Sequence, residues 1–586
     1  MPKHKDKTDQ LKKTAAKKPG RNSLLDWFEK NHRTHSIAIL VLAGMLRLAF
    51  LLELPQMPFS QLYKAPDLDM NFFDQWGDRI AHGDFLTDTV WHPYHFWHAE
   101  IAKANGLQTD EDGKRKWNEW YGGKQYHQEP LYAQVVGIAK MITGEGRMLV
   151  YILQMIASLL SIWMVIWLGR HYFTAMAGIA GGLLFTLYGP GLLFDATLIR
   201  TSFSTTLMLG CIVVSEQLLQ GKRRAWLMGV IGGAGYLLMT TVLLLWIPLV
   251  TRWVYLRRQD LKQLWKVGLA FSLFLSLLVM RNTIVGAPIF SSSSVGPITY
   301  LLSNFPDFKP ELGFVFFSQA GKIMEETHGK MIPAAMEVIH MHDSILGWVA
   351  LQFKKLAMVF HWYEIPNNIN TYLSARFSHV LKVTFVPYSI IAALGLMGLL
   401  FNITNKKVIN LQIGILSQLA VMVVFYVLCR FRVPMVAMLC IFAGYTAQQL
   451  ADLKNIKRFA GTAAGVIGLW LIVARSSPEI TATFFRGDLN ANFNVYYLPK
   501  LDALSAKGDL TGCVKLIEEF LNTRPSYIDD IGHLHALKST NEREVAYYYG
   551  LVYSDLGGLY KEMANEAKAK ENLEKGDLLM AIGSSK

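Results

Sequence analysis

The sequence predicts an all-α polytopic membrane protein of about 11 transmembrane helices, with interfacial helices in a large first outer loop and a small soluble α-helical C-terminal domain. Three observations predict it. Apolar residues make up 52% of the chain and charged residues 18%, less than the usual quarter. The apolar residues come in runs that approach the roughly 20 needed to cross a bilayer. Every short basic cluster between the runs falls on one side of the resulting topology.

The chain begins with a basic tail, 1–34, carrying 10 basic and 4 acidic residues, so +6 of the net +13 lies there. Beside a span such a tail is an orientation signal rather than a nucleic-acid site, and no nucleic-acid partner is expected. An amphipathic lead-in, Leu24–Lys30, precedes the first apolar run, Ser36–Leu54. No small-residue cleavage site follows, so the run reads as an uncleaved anchor. Arg47 lies inside it. A charge there either snorkels or pairs, and a carboxylate of the next loop is one partner to consider.

The first outer loop, 55–147, holds the stretch around which the rest is organised, PDLDMNFFDQWGDRIAHGDF at Pro66–Phe85. Asp67 and Asp69 are two apart and point the same way in extended backbone. Phe73, Trp76 and Ile80 recur at helical spacing, with Asp74 and Asp78 on another face. This reads as a carboxylate pair at the start of a short helix on the membrane surface; Asp69 also fits a helix N-cap. Gln128-Glu129-Pro130 then introduces Leu131–Ile142, too brief for a span and read as interfacial. His92, His95, His98 and His127 form no clean ligand set, so no metal site is assigned.

Further spans are placed at Met148–Leu168, Phe173–Leu187, Leu192–Leu219, Ala225–Thr241, Val242–Trp253 and Trp265–Met280. After a second outer loop, 281–382, come Val383–Phe401, Leu411–Leu428, Pro434–Leu450 and Phe459–Val473. The inside loops carry Arg170-His171, Lys222-Arg223-Arg224, Arg257-Arg258 with Lys262, Lys406-Lys407, and Lys454 with Lys457-Arg458. The N-terminus is therefore cytoplasmic, and both large loops and the C-terminus are extracytoplasmic, facing a periplasm or cell surface in a bacterium or a lumen in a eukaryote; a bacterial inner membrane is the expected setting of this multi-pass protein. Cys211, Cys429, Cys440 and Cys513 form no framework and read as packing residues.

From Asp488 to Lys586 the composition changes to 11 basic and 15 acidic residues. Leu498–Leu521 and Val545–Leu579 read as amphipathic helices. The piece YYYGLVYSDLGGLYKEMANEAKAKENLEKG has an aromatic–Gly–Ala cadence and resembles a tetratricopeptide repeat. It is either a helical cap or a docking surface for a protein partner or acceptor.

Arg430-Phe431-Arg432-Val433-Pro434 sits where a span reaches the outer face and the chain turns back. In an extended lead-in to a helix both guanidinium forks converge on one phosphate; the same pair also suits lipid headgroups. The second loop adds Arg281-Asn282, the run Ser291–Gly296, and WYEIPNN at Trp362–Asn368, where Glu364, Asn367 and Asn368 form a polar knot. Its aromatic and apolar content predicts a docked lid rather than a tether. Carboxylates and arginines on one face, among spans, fit sugar transfer from a lipid phosphate. A carboxylate takes the proton of an acceptor hydroxyl, the arginines stabilise the leaving phosphate, and direct attack inverts the anomeric carbon.

In order and sidedness, LD…FDxWxxRIxxGDF, YxQxPLY, Tyr188-Gly189-Pro190, YEIPNN and RFRVP resemble the GT-C superfamily of membrane glycosyltransferases. The likeness is to bacterial members related to protein O-mannosyltransferases and to the aminoarabinose transferase of lipid A, family 39-like, and it covers Ala38–Tyr445. The resemblance implies Asp69 as catalytic base, Arg430 and Arg432 as ligands of the donor phosphate, Gln128 and Glu129 near the active site, and a polyprenyl-phosphate sugar donor. Arg281 is added as a phosphate ligand, and Arg47, Glu364, Asn367 and Asn368 as supports. The chain departs from the pattern in an insert, about 89–124, holding TDEDGKRK, and in having Asp67 beside Asp69, which makes Asp67 the backup base. No cofactor or divalent cation is expected; the partners are membrane lipid, the lipid-linked sugar, and a protein, lipid or glycan acceptor. Two other readings compete: a transporter or flippase of lipid-linked or anionic substrates, and a scaffold working through the C-terminal segment. No inverted repeat is evident and the charges cluster at one face, which favours the enzyme.

Overall fold

The computed structural model describes residues 23–66, 68–89, 102–103, 105–120, 124–308, 317–384, 386–451, 456–475, 489–536 and 540–584. Asp67, His92, His95, His98, most of the basic tail and parts of the first-loop insert lie outside the described residues. Among the described residues every regular element is helical. Helices α1 (Ser23–Lys30) and α2 (His32–Glu53) lead through two 3-10 turns, Leu54–Gln56 and Pro58–Lys64, to α3 (Asp69–Ala81), α4 (Asp110–Trp120) and α5 (Leu131–Thr143). The central run is α6 (Arg147–Tyr172), α7 (Ala175–Thr186), α8 (Gly189–Asp195), α9 (Thr201–Leu219), α10 (Ala225–Leu238), α11 (Leu243–Leu256) and α12 (Leu264–Val285). The second loop holds α13 (Gly296–Asn304), α14 (Phe317–Glu326), α15 (Met331–His340), α16 (Ile345–Val359), α17 (Thr371–Phe377) and α18 (His379–Val383). Then follow α19 (Tyr388–Phe401), α20 (Ile409–Val424), α21 (Cys429–Ala451) and α22 (Ile456–Val473), and last α23 (Leu498–Ser505), α24 (Leu510–Leu521), α25 (Ile531–His535), α26 (Thr540–Glu562) and α27 (Glu566–Ser584).

Among the described residues, seven helical stretches are long and apolar enough to cross a membrane: His32–Gln56, Arg147–Tyr172, Thr201–Leu219, Arg258–Val285, Lys406–Val424, Cys429–Ala451 and Ile456–Val473. The expected count was about 11. The four remaining sequence spans are the shorter apolar helices Ala175–Thr186, Ala225–Leu238, Thr240–Leu256 and Tyr388–Phe401. One cause is visible at Tyr188-Gly189-Pro190, where Pro190 opens α8 and ends the continuity of α7. Leu192–Leu219, read as one span, is split the same way, because α9 starts only at Thr201.

A broken helix among apolar neighbours leaves carbonyls that need partners. Val386 N–H donates to Leu187 O (3.2 Å). The Gln154 amide donates to the carbonyls of Phe194, Asp195 and Thr197 at 3.2, 3.0 and 2.9 Å, and Tyr132 OH donates to its other end at 2.6 Å. Gly178 and Gly444 let three helices touch by backbone. A Cβ at Gly444 would overlap the Ala177 carbonyl, and one at Gly178 the Ile166 carbonyl. Small residues at such contacts are how helices pack where no hydrophobic drive separates them from lipid.

The helix that begins at Asp69 is seated by the face the periodicity marks. Phe73, Trp76 and Ile80 are buried. Gly77 and Gly137 bring α3 onto α5: a Cβ on Gly77 would stand 2.5 Å from Val136 Cγ1, and one on Gly137 2.5 Å from Ile80 Cγ2. Asp74 and Asp78 meet Lys140 Nζ of α5 at 2.9 and 2.7 Å, and Arg147 approaches Asp74 at 3.4 Å. Overpacking a tight contact costs about 1–3 kcal/mol. Gly137→Val is therefore expected to lower thermal stability in detergent by that amount and to loosen α3.

In the second loop, Lys355 of α16 is fully buried. Its ammonium nitrogen donates to Asn304 Oδ1 (3.0 Å) and stands 5.3 Å from the Phe308 ring centre, while His342 Nε2 bonds Asn304 O at 2.9 Å. Burial pushes the Lys355 amine down to about 7. The loop is docked, as its composition predicts: Ser294 N–H donates to Tyr126 O (2.8 Å), and Ser291 Oγ to Gln125 Oε1 (2.7 Å).

Candidate active site

Asp69 is the first residue of α3, and Leu68 occupies the N-cap position. Its side chain therefore does not cap its own helix; it reaches three distant partners. Oδ2 accepts from Arg430 Nη1 (2.6 Å) and Asn368 Nδ2 (2.8 Å), and Oδ1 accepts from Gln128 Nε2 (2.8 Å). The free N–H at the start of the helix is satisfied from outside as well, since Asp69 N donates to Asn368 Oδ1 (2.6 Å). Asn368 thus grips both the backbone and the carboxylate of Asp69, and its amide also donates to Asn367 Oδ1 (2.8 Å). It does so at φ +70°, in the left-handed region that Asn tolerates better than most residues.

Burial opposes ionisation of Asp69, but the Arg430 guanidinium and the Asn368 and Gln128 amides outweigh it and hold the carboxyl well below the usual carboxylate range. The side chains of Asp69 and Arg430 keep 22% and 17% exposure, so a ligand can reach both. Arg430 Nε is buried with no hydrogen-bond partner among the described residues.

The two arginines of the RFRVP segment part company. The expected extended lead-in is absent: α21 starts at Cys429, so both lie in its first turn and diverge. Arg432 is fully buried. It donates to Tyr363 O (2.8 Å) and Met358 O (2.7 Å), pairs with Glu364 Oε2 at 3.2 Å, and lies 4.5 Å from the Tyr388 ring centre. Glu364 in turn accepts from Tyr188 OH (2.6 Å). Burial pushes the Glu364 carboxyl up, against the pull of Arg432 and Tyr188. The expected convergence of both guanidiniums on one phosphate is thus replaced by a split: Arg430 faces Asp69, and Arg432 moors the Trp362–Asn368 loop. Removing one member of a buried pair typically costs about 3–5 kcal/mol. Arg432→Ala is expected to lose stability of that order, measured by thermal unfolding.

The other expected supports take different places. Arg47 does not pair with a carboxylate of the first loop. It forms a buried ion pair with Asp195 (2.9 Å) and donates to Ser158 Oγ (2.6 Å), because the α8 break presents Asp195 beside α2. Arg281 is turned to the first loop, donating to Leu86 O (2.8 Å) and Thr87 O (2.7 Å) and stacking 3.8 Å from the Tyr126 ring centre. Its Nη1 also donates to Asn282 Oδ1 (2.9 Å), so three of its five N–H groups are engaged at the loop. Glu129 pairs with Arg200 (2.6 Å) and accepts from Thr240 N (2.9 Å) and Oγ1 (2.8 Å). Burial opposes its ionisation, and Arg200 with Thr240 keeps the carboxyl below its ordinary value.

The Gln128-Glu129-Pro130 turn therefore links two charge centres through neighbouring side chains. Arg200, Asp195 and Thr240 were not singled out in the sequence. Arg200 stands alone before a polar helix start, and only its contact with Glu129 marks it. Searches of protein-family models, of curated proteins and of solved structures each return no match to this chain.

Proposed function

We propose that the chain is an inverting, polyprenyl-phosphate-sugar-dependent glycosyltransferase that moves a sugar to an acceptor hydroxyl on the extracytoplasmic face of the membrane. The observation that carries the reading is the Asp69–Arg430 pair, 2.6 Å apart and partly exposed, joined from positions far apart in the chain and framed by amides of two loops. It supports the reading because a carboxylate and a guanidinium side by side suit the base and the phosphate ligand that the GT-C resemblance implies.

Paired in this way, each neutralises the other, which makes Asp69 a weak base. A donor phosphate competes for the Arg430 guanidinium. As Arg430 turns to the phosphate, Asp69 loses its strongest counter-charge and its basicity rises. The acceptor oxygen then bonds to the anomeric carbon while the carbon–oxygen bond to phosphate breaks. The acceptor proton passes to Asp69, and the electron pair leaves on the phosphate, held by Arg430. The reading assigns no step to a metal ion. Asn368 and Gln128 orient the carboxylate, and Arg432 with Glu364 holds the loop that carries Asn368.

The proposed setting has about 11 membrane-crossing segments, the shorter apolar helices spanning together with their flanking turns. It is a bacterial inner membrane, with the N-terminus cytoplasmic and residues 488–586 forming an extracytoplasmic tetratricopeptide-like domain. An apolar groove of about 290 Å³ between α19 and α22, lined by Ile390, Leu394, Ile467 and Trp470, suits a hydrocarbon chain of the surrounding lipid.

The transporter reading rests on one observation, the buried Arg47–Asp195 pair at a broken helix. Ser158 and Ser202 fill out that pair at 2.6 Å each, which favours a structural role. The experiment is sugar transfer in membranes expressing the protein, supplied with a panel of labelled polyprenyl-phosphate sugars. Label appearing in a protein, lipid or glycan fraction supports the enzyme and identifies the acceptor. Label crossing the bilayer still on its lipid replaces this reading with the transporter.

A further inference from the structure

The last described segment, 489–584, has its own apolar cluster, built from Ile517, Phe520, Tyr549, Val552, Leu556 and Leu579 among others. The stretch Leu498–Leu521 forms two helices, α23 and α24, with Gly508 at φ +71° between them, and the helix–turn–helix cadence of 547–576 corresponds to α26 and α27, with Ala564 at φ +56° in the turn. The resulting module touches the outer loops at two places, and each lies beside one partner of the Asp69–Asn368 contact.

The first contact precedes Asp69. Buried Tyr496 donates its hydroxyl to Gln56 O (2.8 Å), and Lys500 lies 3.7 Å from its ring centre and bonds the same hydroxyl. Gln56 ends the 3-10 turn ahead of Pro58–Lys64, and Tyr63 O of that second turn accepts from Asn71 Nδ2 of α3 (2.9 Å). The second contact follows Asn368. Asn370 caps α17, accepting from Tyr372 N and Leu373 N. From that helix Leu373 enters the module's apolar cluster, and Arg376 donates to Thr523 O and reaches Arg524 O at 3.5 Å. Those carbonyls lie just past the end of α24, where a guanidinium complements both the unpaired acceptors and the helix dipole.

One body therefore holds the chain ahead of Asp69 and the chain behind Asn368. A residue kept at positive φ without being glycine persists only where its surroundings over-determine it, and Asn368 is such a residue. We propose that residues 489–584 are a brace that sets the register of Asp69 against Asn368, with Tyr496 and Arg376 as positioning residues. The catalytic half of this inference rests on the transferase reading; the structural half does not.

The test uses the full-length protein in detergent or nanodiscs, as wild type, Arg376→Ala, Arg376→Lys and Tyr496→Phe. Hydrogen exchange is followed in peptides covering 57–72 and 363–378, and transfer kinetics are measured alongside. Arg376→Ala and Tyr496→Phe are expected to speed exchange in both peptides by about tenfold, as local opening becomes easier. The rate constant for transfer falls by about 10–100-fold at unchanged KM for the donor, because a displaced base costs rate rather than binding. Arg376→Lys, which keeps a cation on the carbonyls, restores most of both. If Arg376→Ala fails to fold, Tyr496→Phe carries the test, since it removes a single hydroxyl. Unchanged exchange in both loop peptides, or faster exchange confined to 489–584, overturns the brace. Faster exchange in the loops with no transfer by wild type from any donor keeps the brace and removes the transferase.

Discussion

Replacing Asp69 by Asn is expected to lower sugar transfer by about 10²–10⁴-fold, the range for loss of a positioned general base. Donor binding should be retained or tightened. The amide keeps the size of the carboxylate but removes the charge that occupies Arg430 at 2.6 Å, so the guanidinium is freer to meet a phosphate. Initial rates with a labelled lipid-phosphate sugar and a separate equilibrium binding measurement give the two numbers. Equal transfer by variant and wild type would move the base to Asp67 or elsewhere. Loss of rate with equal loss of binding would make Asp69 a structural partner of Arg430 and no more.

Arg430→Ala carries the second large effect. Loss of one preorganised donor to a developing anion costs about 10²–10³-fold in rate, and here donor affinity should fall too. The pH profile offers an independent sign. In wild type, burial raises the Asp69 pKa, and Arg430 is the largest of the groups that lower it. Without Arg430 the folded pKa climbs, so the acid limb of the rate profile moves to higher pH. The stability that the depressed carboxyl contributes is present above its unfolded value of about 3.9 and is lost as pH falls through the lower folded value. In the variant that contribution shrinks or reverses sign. An acid limb that stays in place would separate Arg430 from Asp69 in function despite their contact.

The sequence made α3 legible because three large apolar residues at helical spacing leave little choice of face, and Phe73, Trp76 and Ile80 all turn inward. It also made legible that Asp69, Gln128, Asn368 and Arg430 belong together; the structure joins them within 2.8 Å hydrogen bonds. What it hid was the division of labour between Arg430 and Arg432. Two arginines two residues apart look like one fork, and only the helix start at Cys429 decides that they diverge. Arg47 was visible as a charge in an apolar run, but its partner depends on where α8 ends, a matter of tertiary packing. The break between α8 and α9 was hidden for the same reason. Hydropathy registers a continuous apolar run across Leu192–Leu219, while the chain breaks there and Gln154 takes up the exposed carbonyls.

Lys355 gives the second large loop a dependence on proton uptake. Folded, its amine titrates near 7; in the unfolded chain a lysine does so near 10.4. Between those values the unfolded chain holds one more proton, so the loop gains stability as pH rises from about 7 to about 10, and the lysine adds no further slope below 7. Helix α16 ends at Val359, a few residues before the loop that presents Asn368 to Asp69. Hydrogen exchange over 345–368, corrected for its intrinsic rate, should therefore show greater protection at pH 9 than at pH 7. The mooring of the carboxylate then firms as the medium turns alkaline, through an amine that does not itself touch Asp69.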